Sequence, residues 1–234
     1  KMYSDIFISF AESKKLQNNL KVLVEIKNWD DPKKNPEGTV LKILGEKGDN
    51  NVEMEAIVLE RGFQMKFPPK VEHEAETLGK ESKPIPAKDI AERKDFRDVT
   101  TFTIDPEDAK DFDDAISFKK ISDNLFEIGV HIADVSHYIK GGSQLDKEAL
   151  HRGVSIYLVD RTVPMLPEIL SNDICSLNPK EDKLTFSTVL TISGNGDIRK
   201  VWFGRTVINS NKRFVYEEAQ KILDNKKGEY HEEL

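Results

Sequence analysis

The chain has 234 residues, with 42 acidic against 35 basic side chains and a formal net charge of −7; with a pI near 5.4, this charge balance excludes indiscriminate binding of polyanions by the whole surface. A single cysteine and the lack of an apolar run long enough to span or target a membrane exclude a disulfide framework, so a cytoplasmic protein with no membrane partner is expected. The length allows two domains, each with its own core.

Residues 1–69 read as β-rich. DIFISF (5–10), LKVLVEIKNW (20–29), GTVLKILG (38–45) and VEMEAIVLERGF (52–63) are separated by polar or Gly/Pro-bearing connections such as DDPKKNPEG (30–38). Short strands at this spacing predict a small barrel or sandwich. Lys33, Lys34 and Lys42, with Phe7, Phe10 and Trp29, offer charge and stacking surfaces, but such residues equally serve a core and a solvated face. Residues 70–92, with Pro84, Pro86 and many charges, predict a charged linker carrying a short helix over Val71–Leu78.

The next two strands bracket the most informative stretch. VTTFTI (Val99–Ile104) and AISFKKI (Ala115–Ile121) are extended candidates, and the Asp-Pro pair at Asp105 and Pro106 should stop the first. Between them the chain reads TIDPEDAKDFDDA, crowding Asp105, Asp108, Asp111, Asp113 and Asp114 with only Lys110 to offset them. Carboxylates so placed repel unless a cation, most simply a divalent metal, sits between them. A solvated acidic turn is the competing reading, against which Phe112 would seek burial and draw its neighbours inward. A calcium loop of the EF-hand type fits poorly: counted from Asp111, the twelfth position is Ser122 and the sixth is not glycine.

Beyond the loop, Phe126, Ile128, Val130 and Ile132 alternate on one face of a strand, leaving His131 on the other. His131 and His137 flank Asp134, but ligand spacing for zinc is missing, and Cys175 reads as a small buried residue. QLDKEALHRG predicts a short helix with Leu145, Ala149 and Leu150 inward and Gly153 near its end. VPMLP must be extended or turning. LTFSTVLTIS, GNGD and IRKVWFGRTVI predict a hairpin turning at Gly194 and Gly196, and EEAQKILDNKKG predicts a helix after Tyr216.

These residues carry a resemblance. TIDPEDAKDFDDAIS resembles the catalytic signature of the RNase II/RNase R family of exoribonucleases. GVHIADVSHYI, LDKEALHRGVSIYL, RTVPMLPEILSNDICSLNP and SNKRFVY resemble successive blocks of the same catalytic (RNB) domain, in order, over roughly Arg93 to Leu223. The resemblance implies an α+β chain: an OB/cold-shock-like RNA-binding β-barrel over 1–69, the linker over 70–92, and the first part of a mixed α/β RNB catalytic domain over 93–234. A five-stranded barrel needs a strand or two before Lys1, and the family's catalytic domain continues past the blocks seen here. The expectation is therefore a piece of a larger enzyme, with further domains in the same parent chain and weak or no activity alone.

What the resemblance implies for the site is specific. Asp105, Asp111, Asp113 and Asp114 match the family's four metal-holding aspartates, with Asp108 outside the set, and Mg²⁺ (or Mn²⁺) suits such hard oxygen donors. Two ions about 4 Å apart would activate water and stabilise the leaving oxygen. The implied reaction is 3′ to 5′ hydrolysis of single-stranded RNA to nucleoside 5′-monophosphates. Tyr157 and Tyr216 match positions that contact the RNA end, where stacking is worth about 1–3 kcal/mol per base; on their own they read as ordinary strand aromatics. A non-catalytic RNA-binding member that uses the barrel alone is the alternative, disfavoured because a pure binder has no need of four aspartates in register.

Overall fold

The computed structural model describes residues 4–14, 16–31 and 33–234. Lys1, before which the barrel is expected to lack strands, and Pro32 of the 30–38 connection lie outside them. Two compact units are present: residues up to Phe67 together with Tyr157–Val163, and Pro68–Ile156 together with Pro164–Leu234.

The first unit opens with β1 (Phe7–Ile8), α1 (Phe10–Ser13), β2 (Leu20–Asn28), β3 (Glu37–Glu46) and α2 (Asn50–Glu60). Its sheet has the order β1–β3–β2, with β2 and β3 antiparallel and irregular in register, as strongly twisted strands are. The segment VEMEAIVLERGF is a correction to the sequence reading, because it folds as helix α2 rather than a strand. Its V-E-M-E-A alternation imitates a strand, but Asp49 accepts the Val52 N–H at 3.1 Å and Glu53 reaches back to the Gly48 N–H at 2.9 Å. The first bond satisfies an amide that a helix start leaves open and the second ties the residue before the cap to the first turn, so local capping prevails over the period-two pattern. Lys42 pairs with Glu55 at 2.6 Å and Lys21 with Glu53, tying α2 to both strands.

In the second unit, α3 (Pro69–Glu81) and α4 (Ala87–Ala91) occupy the segment read as a charged linker. Pro69 starts α3, a position where proline's missing N–H costs nothing, and Val71 and Ala75 are buried. The strands that follow are β4 (Lys94–Asp95), β5 (Thr101–Asp105), β6 (Asp114–Ser122) and β7 (Leu125–Ala133), then α5 (Val135–Tyr138) and α6 (Gln144–Arg152). A short ladder, β8 (Ile156–Tyr157) with β9 (Thr162–Val163), whose Tyr157–Val163 stretch belongs to the first unit, precedes a π-helical turn at Ile169–Ile174 in the second. The chain ends with β10 (Asp182–Ser193), β11 (Ile198–Asn209), β12 (Lys212–Val215) and α7 (Tyr216–Asn225). Seven strands form one sheet in the order β12–β5–β6–β7–β10–β11–β4.

Helix α6 is capped by Ser143 and stopped by Gly153 at φ +72°. Leu145 is buried as expected, but Leu150 is 84% exposed, a correction. The inward place near the helix end goes instead to Arg152, whose Nε donates to Glu148 at 2.9 Å. Cys175 is buried, and burial pushes its thiol up to about 12.

The large sheet inverts the usual polarity of its faces. Ile116, Val130, Ile132, Phe186 and Phe203 are exposed, and the register sets Ile116 against Val130, Ile132 against Phe186 and Phe203 against Thr188, so they share one face. The buried face holds Ser117, His131, Thr185, Ser187 and Thr206. These polar groups satisfy one another. His131 Nδ1 bonds Ser187 Oγ at 2.7 Å, its Nε2 bonds Ser117 Oγ at 2.8 Å, and Ser187 continues to Thr206. Arg93 and Asp134 form a buried ion pair at 2.7 Å beside them, and Arg93 also donates to the carbonyls of Thr185 and Thr206. Burial alone would raise the Asp134 carboxyl, but Arg93 and Ser136 hold it below the ordinary range.

Burial holds His131 neutral, with its pKa lowered to about 4. The unfolded ring takes up a proton below about 6.5, so the unfolded state binds more protons between those values. Stability should therefore be full above about 6.5 and fall as pH drops toward about 4. Urea midpoints measured across this window should fall more steeply for the natural chain than for a His131→Asn variant, and parallel profiles would contradict the assignment.

Candidate functional site

The acidic loop spans the gap between β5 and β6. β5 ends at Asp105 because Pro106 cannot continue the ladder, and β6 begins at Asp114. The two strands are antiparallel, with Phe102 opposite Ile116 and Thr101 opposite Ser117, so Asp105 and the Asp113–Asp114 pair emerge at the same end of neighbouring strands. β12 lies on the other side of β5, parallel to it, with Val215 opposite Asp105. Tyr216, the next residue and 55% exposed, therefore emerges beside Asp105.

A small core anchors this strand end. Phe102 of β5 meets Phe214 of β12 edge to face at 5.6 Å, and Ala219 and Ile222 of α7 pack on both. The loop is held as well. The Phe112 N–H donates to Ser176 Oγ at 3.0 Å, Ser176 Oγ donates to the Lys110 carbonyl at 2.8 Å, and the Leu177 N–H donates to the Phe112 carbonyl at 2.8 Å. Phe112 is buried, as its apolar ring requires. The Asp113 carbonyl accepts from the Ala133 N–H at 2.9 Å, fixing the start of β6 against β7.

The carboxylates feel one another. Burial raises the Asp105 carboxyl, the charges of Asp114 and Asp113 raise it further, and Thr103 and Arg213 oppose this without prevailing. Asp114 is raised by burial and by Asp113. Asp105 is buried, and its Oδ2 makes no hydrogen bond of good geometry; Thr103 Oγ1 lies near enough to lower the carboxyl without completing such a bond, and Arg213 Nε is likewise buried without a well-formed bond. A buried, unbonded carboxylate oxygen facing two like charges is costly, and a cation would relieve it. Hard oxygen donors fit a divalent ion of the magnesium type. Asp111 is half-buried, while Asp108, Asp113 and Asp114 are exposed. Among the described residues no group of three or more His, Cys, Asp or Glu side chains is already arranged to hold a metal ion.

The remaining expected site residue, Tyr157, is 67% exposed and belongs to the first unit. There the following hairpin is tied down by Asn50, which donates to Asp160 at 2.7 Å. Sequence reasoning missed Arg213 and Ser176, the side chains that touch the loop backbone. Arg213 lies three residues before Tyr216 in KRFVY, and only the β12–β5 pairing discloses its place.

Comparison with known proteins gives this site its context. Residues 93–234 match the model of the RNB domain, and residues 1–68 match that of the cold shock domain. Ribonuclease R of Thermotoga maritima is 41% identical over 226 residues, covering 96% of this chain and 31% of that protein. The structure of Mycoplasma genitalium RNase R in complex with ribose methylated single-stranded RNA superposes with a TM-score of 0.87 at 31% identity, covering 97% of this chain and 35% of the other. Yeast Ssd1, described as a pseudonuclease, shares the fold alone at 22% identity and a TM-score of 0.74, over 94% of this chain and 28% of its own. The chain thus spans about a third of the length of the first relatives it matches.

If like charge raises the two carboxyls, Asp113→Asn should lower the titration midpoints of both Asp105 and Asp114, read by carbon-detected NMR in metal-free buffer. Unchanged midpoints would contradict the proximity described above.

Proposed function

The chain belongs to the RNB-domain family, whose model its residues 93–234 match, and on that premise we propose that it is the part of a 3′ to 5′ exoribonuclease that carries the metal-holding aspartates. Its substrate is single-stranded RNA and its products are nucleoside 5′-monophosphates. The observation that carries this reading is the meeting, at one strand end, of Asp105 with its unbonded buried oxygen, Asp113, Asp114 and Tyr216. RNA in the complexes of Mycoplasma genitalium RNase R, single-stranded in one and double-stranded in another, supports RNA as the ligand.

Asp105, Asp111, Asp113 and Asp114 would hold Mg²⁺ or Mn²⁺, and such an ion supplies activation of water and charge stabilisation at a phosphodiester. The protein's own contributions follow from the fold. Asp105 presents a carboxylate fixed by a buried strand, whereas Asp113 and Asp114 sit at the entry of β6, braced by the Asp113–Ala133 backbone bond. Tyr216 offers an exposed ring at the same edge, suited to the terminal nucleotide, and Tyr157 on the other unit offers a second stacking surface. Stacking tolerates any base, which suits degradation. By family likeness the cold-shock unit also contacts RNA, and Phe7, Phe10 and Trp29 are exposed on it. A cytoplasmic setting completes the proposal.

The competing reading, a non-catalytic RNA binder, has a fold-level precedent in Ssd1. The complete set of four aspartates argues against it. In the natural full-length polypeptide, Asp113→Asn should reduce hydrolysis of single-stranded RNA by at least about 100-fold while leaving RNA affinity within about threefold. Hydrolysis that survives the substitution would sink the assignment, and absence of hydrolysis from the natural protein would favour the binder.

A further inference from the structure

We infer that Arg213 is the positioning residue of the aspartate loop, holding residues 106–113 in the conformation that keeps Asp113 and Asp114 beside Asp105. The consequence for cation binding rests on the proposed function; the grip on the loop does not. Arg213 stands in β12 opposite Thr103 of β5, one strand away from the loop's origin. Its Nη2 donates to the carbonyls of Pro106 and Glu107, the latter at 2.8 Å, so it takes hold of the first two residues after β5. The guanidinium also lies 5.3 Å from the centre of the Phe112 ring, on the returning arm. One side chain thus touches both arms of the loop.

Two further observations separate this from an incidental surface contact. Arg213 is half-buried, and its Nε is buried without any partner, a cost that a freely solvated arginine would avoid by swinging outward. Its charge also bears on Asp105, opposing the repulsion from Asp113 and Asp114. Left to themselves, a loop rich in carboxylates and the Asp105 strand end would move apart. Arginine suits the task better than lysine, because a planar guanidinium can lie against an aromatic ring and donate in its own plane at once. Ser176 also grips the loop, through the Phe112 N–H and the Lys110 carbonyl, so two side chains hold its backbone.

The test compares the natural chain with Arg213→Met and Arg213→Lys by amide hydrogen exchange in metal-free buffer, followed by calorimetric titration with Mn²⁺. Amides of residues 107–113 should exchange about tenfold faster in Arg213→Met and by an intermediate factor in Arg213→Lys, while those of β7 and β10 keep their protection. Unchanged loop exchange in Arg213→Met, or acceleration spread evenly over the sheet, would overturn the inference. Mn²⁺ affinity should fall by about tenfold in Arg213→Met and recover in part in Arg213→Lys. A looser loop with unchanged affinity would overturn the link to the cation. A natural chain that takes up no Mn²⁺ counts against the metal reading alone, since the exchange data still decide what Arg213 does.

Discussion

Like charges forced together by strand pairing are the constraint around which the second unit is arranged. β5 and β6 are neighbours in the sheet, and the loop between them returns the chain to the strand end where Asp105 leaves it. Repulsion among Asp105, Asp113 and Asp114 opposes that return, and burial of Asp105 sharpens it because a low-dielectric setting strengthens every charge interaction. The opposing forces are visible as Phe102 against Phe214 beneath α7, the Ser176 clamp, and Arg213 across both arms. Frustration of this kind is what a strand end completed by something it binds would show.

The remainder of the sheet shows how a polar interior is stabilised. A face carrying Ser117, His131, Ser187, Thr185 and Thr206 can be buried because each group finds a partner, and a fully satisfied network ranks with an apolar core in specifying structure. The Arg93–Asp134 pair follows the same logic, with Nη1 of the arginine donating to two carbonyls. Phe96 closes the network, packing edge to face with His131 at 5.2 Å between ring centres.

Much of this was legible in the sequence, for reasons that differ by element. The strand, acidic loop and strand of 99–121 could be placed because β-branched runs, Asp-Pro punctuation and a buried phenylalanine all agree there. Gly196 in the β10–β11 turn and Gly153 behind α6 were legible because their positive φ confines such positions to few residue types. The face of β7 that turns inward was not. Alternation fixes which residues share a face, but only tertiary partners decide its direction, and Ser117 and Ser187 lie on other strands. Helix α2 was misread because its cap, Asp49 with Glu53, lay at the edge of an alternating run. The reach of Arg213 was invisible for a similar reason, since parallel pairing of β12 with β5 spans more than 100 residues. Aspartate spacing singled out the acidic loop, yet how its charges act on one another needed the fold.

The central claim is that the aspartate loop is a cation site. Calorimetric titration of Mg²⁺ and Mn²⁺ into this chain, beside a variant with Asp111→Asn and Asp113→Asn together, addresses it most directly. Saturable binding in the natural chain that disappears in the double variant is the predicted result. Equal binding in the two proteins, or no saturation in either, would contradict it.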